Sequence, residues 1–205
     1  MNFLCTGWNR TGTSTIGKIL SNYNSKHATY SEELFDLLIE GKLNELLAFS
    51  TKIDSADDFP LNLLFREIKD INPDLNVIHT YTSSSALWIA RQKTLALRAP
   101  TKRLRIANLY LYGKSSPFGN EKIFINRYEK HNKEVLTYFN GHKNFIDIDI
   151  SDASQHTKLK NWLDLRISRN ARTQLKFPEI IKTKKPFSTY SVGELNRIKR
   201  NITIF

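Results

Sequence analysis

Apolar and polar residues follow two rhythms along this chain. NFLCTG (2–7), LNVIHTY (75–81) and FIDIDI (145–150) are short apolar runs, the pattern of strands buried in a sheet. Elsewhere the spacing lengthens to that of amphipathic helices. These are TSTIGKILSNY after the first run, two segments in YSEELFDLLIEGKLNELLAF (30–49) parted at Gly41, DDFPLNLLFREIKDI (57–71), SSSALWIARQKTLAL (83–97), EKIFINRYEKHNKEVLTYF (121–139) and HTKLKNWLDL (156–165). Ser31 is placed to cap the first helix after 30, and Asn72-Pro73-Asp74 forces a turn after a helix that carries Leu61, Leu64, Phe65 and Ile68 on one face. Residues 98–120 read as irregular and basic. Alternating strand and helix predict an α/β fold of three layers, α/β/α, about a central parallel sheet. The reading is one domain over 1–205, ending in a basic tail and short helix at 182–205.

Composition changes this picture in one respect. The chain of 205 residues is 40% hydrophobic and 25% charged, ordinary for a globular protein, but its net charge is +11. Such an excess of cations attracts anionic partners: nucleotides, sulfated or phosphorylated substrates, nucleic acid or acidic membrane. The single cysteine, Cys5, excludes an internal disulfide and reads as a buried strand residue. No stretch approaches the roughly 18 apolar residues of a membrane span, and no cleavable leader precedes the first strand, so the reading is a cytoplasmic protein.

The chemistry suggested by the sequence lies between the first strand and first helix. A strand-to-helix turn rich in glycine wraps an anion in backbone N–H groups, and the helix N-terminus adds partial positive charge. In the nucleotide-triphosphatase form, GxxxxGKS/T, the Lys reaches the outer phosphates. GWNRTGTST keeps both glycines, Gly7 and Gly12, but has Thr13 in place of that Lys. The cation has moved to Arg10, surrounded by Asn9 and the hydroxyls of Thr11, Thr13, Ser14 and Thr15. A loop with one cation and no Lys suits a transferred group carrying less charge than a phosphoryl group, and a sulfuryl group is one.

On these residues the chain resembles the P-loop sulfotransferases, in the branch whose 5′-phosphosulfate loop reads approximately GxxRTGTSSL. The resemblance runs collinearly from residue 3 to about 165. DDFPLNLLFREIKDINPDLNVIHTY is similar to the family's Asp-x-Pro, amphipathic helix, turn and strand; RYEKHNKEVLTYF to its Y-x-x-H-N-x-x-V helix; FIDIDI and KLKNWLDL to its closing strand and helix. It implies a P-loop sulfotransferase fold and 3′-phosphoadenosine 5′-phosphosulfate as donor, with Asn9 to Thr15 holding the 5′-phosphosulfate and no metal. The acceptor would be a hydroxyl compound, acidic or carbohydrate in character. One departure stands out: the family's Arg after the second strand, which grips the donor's 3′-phosphate, is replaced by Ser83, while Arg91 occupies the position of its partner Ser. Either the two have exchanged roles or recognition of the 3′-phosphate is weakened.

Sulfuryl transfer to a hydroxyl needs a group to take the acceptor's proton. Asp58 matches the Asp-x-Pro position, or alternatively caps the following helix. His27 matches a region where similar proteins carry a His near the acceptor, or alternatively lies on the surface. His79 reads as a core residue, His131 as a structural hydrogen-bonding group, and Asp147 and Asp149 as structural. The catalytic expectation is therefore Arg10, Asp58 and His27. Three other readings stay open: a sulfotransferase-like fold that binds anions without catalysis, a P-loop nucleotide kinase or triphosphatase with a relocated cation, and nucleic-acid binding through the basic surface, for which no reading motif is present.

Overall fold

The computed structural model describes residues 1–24 and 26–167. The basic tail and helix expected at 182–205, with its cationic run 182–185, lie outside the described residues. Among the described residues the order is β1 (Phe3–Cys5), α1 (Thr13–Ser21), β2 (His27–Ala28), α2 (Glu32–Ile39), α3 (Leu43–Ser50), β3 (Ser55–Ala56), a 3₁₀ turn (Leu61–Leu63), α4 (Phe65–Ile71), β4 (Asn76–Tyr81), α5 (Ser85–Arg98), α6 (Lys102–Tyr112), α7 (Glu121–Tyr138), β5 (Phe145–Asp149) and α8 (Gln155–Asp164).

The five strands form one all-parallel sheet in the order β2-β3-β1-β4-β5. Strand alternation sends neighbouring side chains to opposite faces. Leu4, Ala56 and Val77 join Leu34, Leu46, Phe65 and Val135 from α2, α3, α4 and α7, and Phe139 just past α7, on one face. Phe3, Cys5, Ile78, Ile146 and Ile148 join Ile16, Ile19, Leu20, Leu159 and Leu163 from α1 and α8 on the other. The sheet is thus covered by helices on both faces, which is why β1 (Phe3-Leu4-Cys5) is apolar throughout and buried at every residue.

Among the described residues the predicted strands and helices are present, with three corrections. β2 and β3, two residues each, were not foreseen; His27-Ala28 and Ser55-Ala56 carry no apolar run and become strands by pairing, His27 opposite Ser55. The stretch 98–120 is not irregular throughout: Thr101 accepts from Leu104 N at 3.1 Å, α6 runs to Tyr112 and Gly113 closes it in the left-handed conformation. The helix foreseen over 57–71 is a 3₁₀ turn followed by α4. Ser31 caps α2 as expected, accepting from Leu34 N at 3.2 Å.

The chain clusters into two compact units. Among the described residues the first comprises Met1–Ser83 and residues 128–167; it contains the whole sheet and both core clusters. The second, Ser84–Arg127, holds α5, α6 and the first turns of α7. Within it Tyr112 stacks on Phe124 with ring centroids 3.7 Å apart, and Asn108 Nδ2 donates to Ser115 O at 3.1 Å.

Candidate functional site

The sheet order turns back about β1, and open parallel sheets bind ligands beyond the carboxyl ends of their strands at such a point. The segment that leaves β1 there is the glycine loop. Gly7 lies so close to β4 that a Cβ would stand 1.9 Å from Thr80 Oγ1 and 2.9 Å from Thr80 O. Thr11, fully buried, donates from Oγ1 to Trp8 O at 2.5 Å and meets Thr80 Oγ1 at 3.0 Å. Its backbone N–H goes to Trp8 O as well. Thr11 therefore serves the loop's own architecture, and its hydroxyl is not among those turned toward a ligand. Asn62 Nδ2 holds Gly7 O at 3.0 Å, and His131 Nε2–H donates to Thr6 O at 2.8 Å, fixing the loop from the helical side.

Two left-handed residues shape the turn itself: Arg10 at φ 68° and Gly12 at φ 86°. Left-handed steps of this kind create concave arrays of N–H groups that suit anions. Gly12 ends the loop as the N-cap of α1, and its carbonyl accepts from Thr15 and Ile16 N. The N–H groups of Thr13 and Ser14, in the first turn, have no acceptor within the helix. Ser14 is exposed, Thr15 half-buried and Thr13 buried.

The Arg10 guanidinium acts electrostatically on a carboxylate from the turn after β3. Asp58, next after the residue that follows β3, is the other non-glycine residue with left-handed backbone among the described residues, at φ 65°. Its Oδ1 accepts from Phe59 N at 2.8 Å, an intraloop bond, so Asp58 is not a helix cap; its side chain stays at the carboxyl edge of the sheet. Burial pushes the Asp58 carboxyl up to about 6, and Asp57 adds to this, while the Phe59 N–H and the Arg10 guanidinium restrain it. A left-handed non-glycine residue costs about 1–2 kcal/mol. Two such residues of opposite charge, Arg10 and Asp58, lie in the turns that follow β1 and β3.

His27 is not a surface residue. In β2 it shares a face with Ser55 and Asp57, and both ring nitrogens are engaged: Nδ1 with Ser55 Oγ at 2.8 Å and Nε2 with Asp57 Oδ1 at 3.0 Å. The His27 side chain is 12% exposed and that of Asp57 2%. The Asp57 carboxyl lies against α1, where a Cβ on Gly17 would stand 2.8 Å from its Cγ. Asp57, which sequence reasoning passed over for its neighbour, is thus the link between β2, α1 and Asp58. The adjacent pair Asp57-Asp58 was its only sign in the sequence, because two successive residues of extended chain point to opposite sides.

The remaining candidates fall into place as structural groups or lie elsewhere. Asp149 ends β5; Ser83 N donates to its Oδ2 at 3.1 Å and Ser151 N to its Oδ1 at 2.8 Å. Burial acts to raise its pKa, but these hydrogen bonds outweigh it and hold the carboxyl below the usual range. The Tyr128 hydroxyl accepts from Thr82 N at 2.9 Å and donates to Thr82 O at 3.0 Å, so the turn after β4 that carries Ser83 is firmly held. Arg91 belongs to α5 in the second unit, half-buried. Asp147 pairs with Lys158 at 3.1 Å. His79 is fully buried against Thr6 Oγ1 at 3.2 Å, and burial lowers its pKa to about 4, so it stays neutral. Burial raises the Cys5 thiol to about 12, leaving it inert. A cavity of about 700 Å³ opens at the opposite, amino end of β1 and β4, lined by Asn2, Tyr23, Asn72, Asn76 and Arg166 among others; no residue of the glycine loop borders it.

No protein-family model matches the chain, and no curated protein matches it. The fold and site define an α/β protein with a five-stranded parallel sheet flanked by helices and a glycine turn between β1 and α1.

Proposed function

We propose that this protein is a P-loop sulfotransferase, moving a sulfuryl group from 3′-phosphoadenosine 5′-phosphosulfate to an acceptor hydroxyl. The observation that carries the reading is the pair Arg10 and Asp58, the two non-glycine left-handed residues among those described, with the Arg10 guanidinium of the glycine loop acting on the raised Asp58 carboxyl. Strained backbone of this kind concentrates at functional sites. The resemblance of GWNRTGTSTIGKIL and DDFP to sulfotransferase motifs supports it independently.

Arg10 and the N–H groups of the loop would hold the phosphosulfate, with Thr13, Ser14 and Thr15 adding hydroxyls and the α1 terminus its partial charge. Asp58, with its carboxyl at about 6, is ionised near neutrality yet basic enough to receive a proton. The sulfur–oxygen bond to the phosphate breaks as one to the acceptor oxygen forms, and the hydroxyl proton passes to Asp58. His27, held on both nitrogens, acts through Asp57 on the position of Asp58 rather than on the acceptor.

A second reading has one observation in its favour. Where the resemblance expects an Arg for the 3′-phosphate, Ser83 sits on the ionised Asp149 carboxylate, a neighbour that repels phosphate. The donor would then be read without its 3′-phosphate, or the cradle would bind anions without turnover. Thermal melting separates these. A ligand at about 100 times its Kd stabilises by roughly 2.7 kcal/mol, which for a chain of this size is a rise of several degrees. Adenosine 3′,5′-bisphosphate should raise the Tm under the main reading, whereas a shift with adenosine 5′-phosphosulfate alone supports the donor lacking a 3′-phosphate. A shift with ATP and Mg²⁺ alone would overturn the proposal in favour of a kinase, and no shift with any of them would leave the cradle without a nucleotide role.

A further inference from the structure

The cations of this chain are segregated. No Asp or Glu occurs between Asp74 and Glu121, and residues 84–127 carry nine Lys or Arg against one carboxylate. That carboxylate, Glu121, is bound to Lys93 at 2.5 Å within the same unit. Residues 168–205 offer no compensation, since they add nine Lys or Arg and two Glu. A basic surface this concentrated repels itself and attracts a partner of opposite sign.

The second unit also reverses the usual polarity of a surface helix. At 100° per residue, Lys102, Ile106, Leu109 and Tyr110 share one side of α6, while Asn108 and Tyr112 occupy the buried side. Leu109 is 51% exposed and Tyr110 48%. Arg103 and Arg105 flank this apolar strip, with Lys102 at its start and the exposed Lys114 just past its end. Asn108 and Tyr112 thus face inward, while Leu109 and Tyr110 are left outward. Among described residues of the same unit, Leu87, Phe118 and Ile123 are further large apolar side chains at 36–40% exposure.

From this arrangement we propose that α6 docks on an anionic lipid surface, lying in the interface with Leu109 and Tyr110 inserted and the basic residues at its borders meeting the headgroups. Exposed aliphatic side chains fit acyl chains and have no use on a nucleic-acid backbone, and flanking cations on long stems reach the headgroups as apolar neighbours sink. The contact is peripheral: no helix among the described residues is long and apolar enough to cross a membrane. The inference stands apart from the reading of the glycine loop, which belongs to the other unit.

The test is cosedimentation of the full chain with vesicles of phosphatidylcholine alone and of phosphatidylcholine with about 30 mol% phosphatidylserine, in low and high salt. The protein should pellet with the anionic vesicles and not the neutral ones. Each Lys at the surface contributes about fivefold, so Lys102→Gln with Lys114→Gln should weaken binding by roughly 25-fold. Leu109→Ser with Tyr110→Ser keeps the charge and should weaken it at least tenfold, an effect that persists in high salt because it does not rest on charge. Unchanged melting temperatures establish that both variants fold. The proposal is overturned if neutral and anionic vesicles bind alike, if the Leu109/Tyr110 variant binds as the parent does, or if a short DNA duplex or RNA strand binds and removes the protein from the vesicles.

Discussion

Replacing Asp58 by Asn should make the protein more stable while removing its chemistry. The carboxyl of Asp58 has a pKa of about 6 in the folded chain, against about 3.9 for an unfolded Asp. A group whose folded pKa is raised adds stability that is complete below the unfolded value and is lost as pH rises through the folded one. For Asp58 that window runs from about pH 4 to about pH 6, and above it the ionised carboxylate costs the fold about 3 kcal/mol, at 1.36 kcal/mol per unit. The figure already includes the relief that Arg10 provides. Asn is neutral at every pH, tolerates the left-handed backbone better than most residues, and keeps an oxygen for the Phe59 N–H. The difference in unfolding free energy between Asp58→Asn and the parent should therefore be near zero at about pH 4 and rise toward about 3 kcal/mol by pH 7–8, a gain of roughly 6–12 °C in Tm. Chemical denaturation of both proteins across that range measures it, since shared titrations cancel in the difference. Loss of a general base should cost 10²–10⁴ in turnover. A variant no more stable than the parent at neutral pH, or more stable by the same margin at both ends of the range, would refute the account of Asp58 as a buried charge.

Other perturbations test the same architecture. Arg10→Ala should retain the fold but lose binding of the phosphosulfate by at least tenfold, a charge-assisted contact being worth about 1.5–3 kcal/mol, as titration calorimetry with adenosine 3′,5′-bisphosphate would show. Gly7→Ala drives a Cβ to 1.9 Å from Thr80 Oγ1, so the loop must leave β4; the variant should melt markedly lower and lose nucleotide binding, and a parent-like melt would contradict that close approach. His27→Ala strips the buried Asp57 carboxylate of a hydrogen-bond partner and should destabilise by about 1–3 kcal/mol in urea unfolding. Activity of the parent should fall about tenfold per pH unit below the Asp58 value of about 6, because only the ionised form accepts a proton.

Much of this architecture was legible before any coordinates. β1, β4 and β5 announce themselves as apolar runs because both their faces are buried, and the helices by their stripes. β2 and β3 do not, since two residues such as His27-Ala28 or Ser55-Ala56 have no period to read; they are strands only because their partners hold them. The helix α6 was masked by its charge. Lys102, Arg103 and Arg105 fall in its first turns, where the helix dipole disfavours cations, so that local rules argue for a loop while Thr101 and Gly113 supply the two caps.

The glycine loop was legible in composition but not in use. Its residues divide between those that build the turn and those left to face outward, and sequence cannot assign them: Thr11 looks the same as Thr13 until Thr80 claims its hydroxyl. Asp58 is the sharper case. Before an amphipathic helix an Asp reads as an N-cap, the cheapest role available to it. Instead the chain holds it left-handed and half-buried, next to a second carboxylate and within electrostatic reach of a left-handed Arg, giving up a cap to keep a raised-pKa acid near the glycine loop. Folds break local rules where function requires it and compensate through surrounding contacts. Here the compensation can be identified: Gly17 makes room for Asp57, His27 and Ser55 hold it, and Asn62 and His131 secure the segment around Gly7. These contacts fall on Asp57, Gly7 and Thr6 rather than on Asp58 and Arg10 themselves, so the two left-handed residues are held through the segments that flank them.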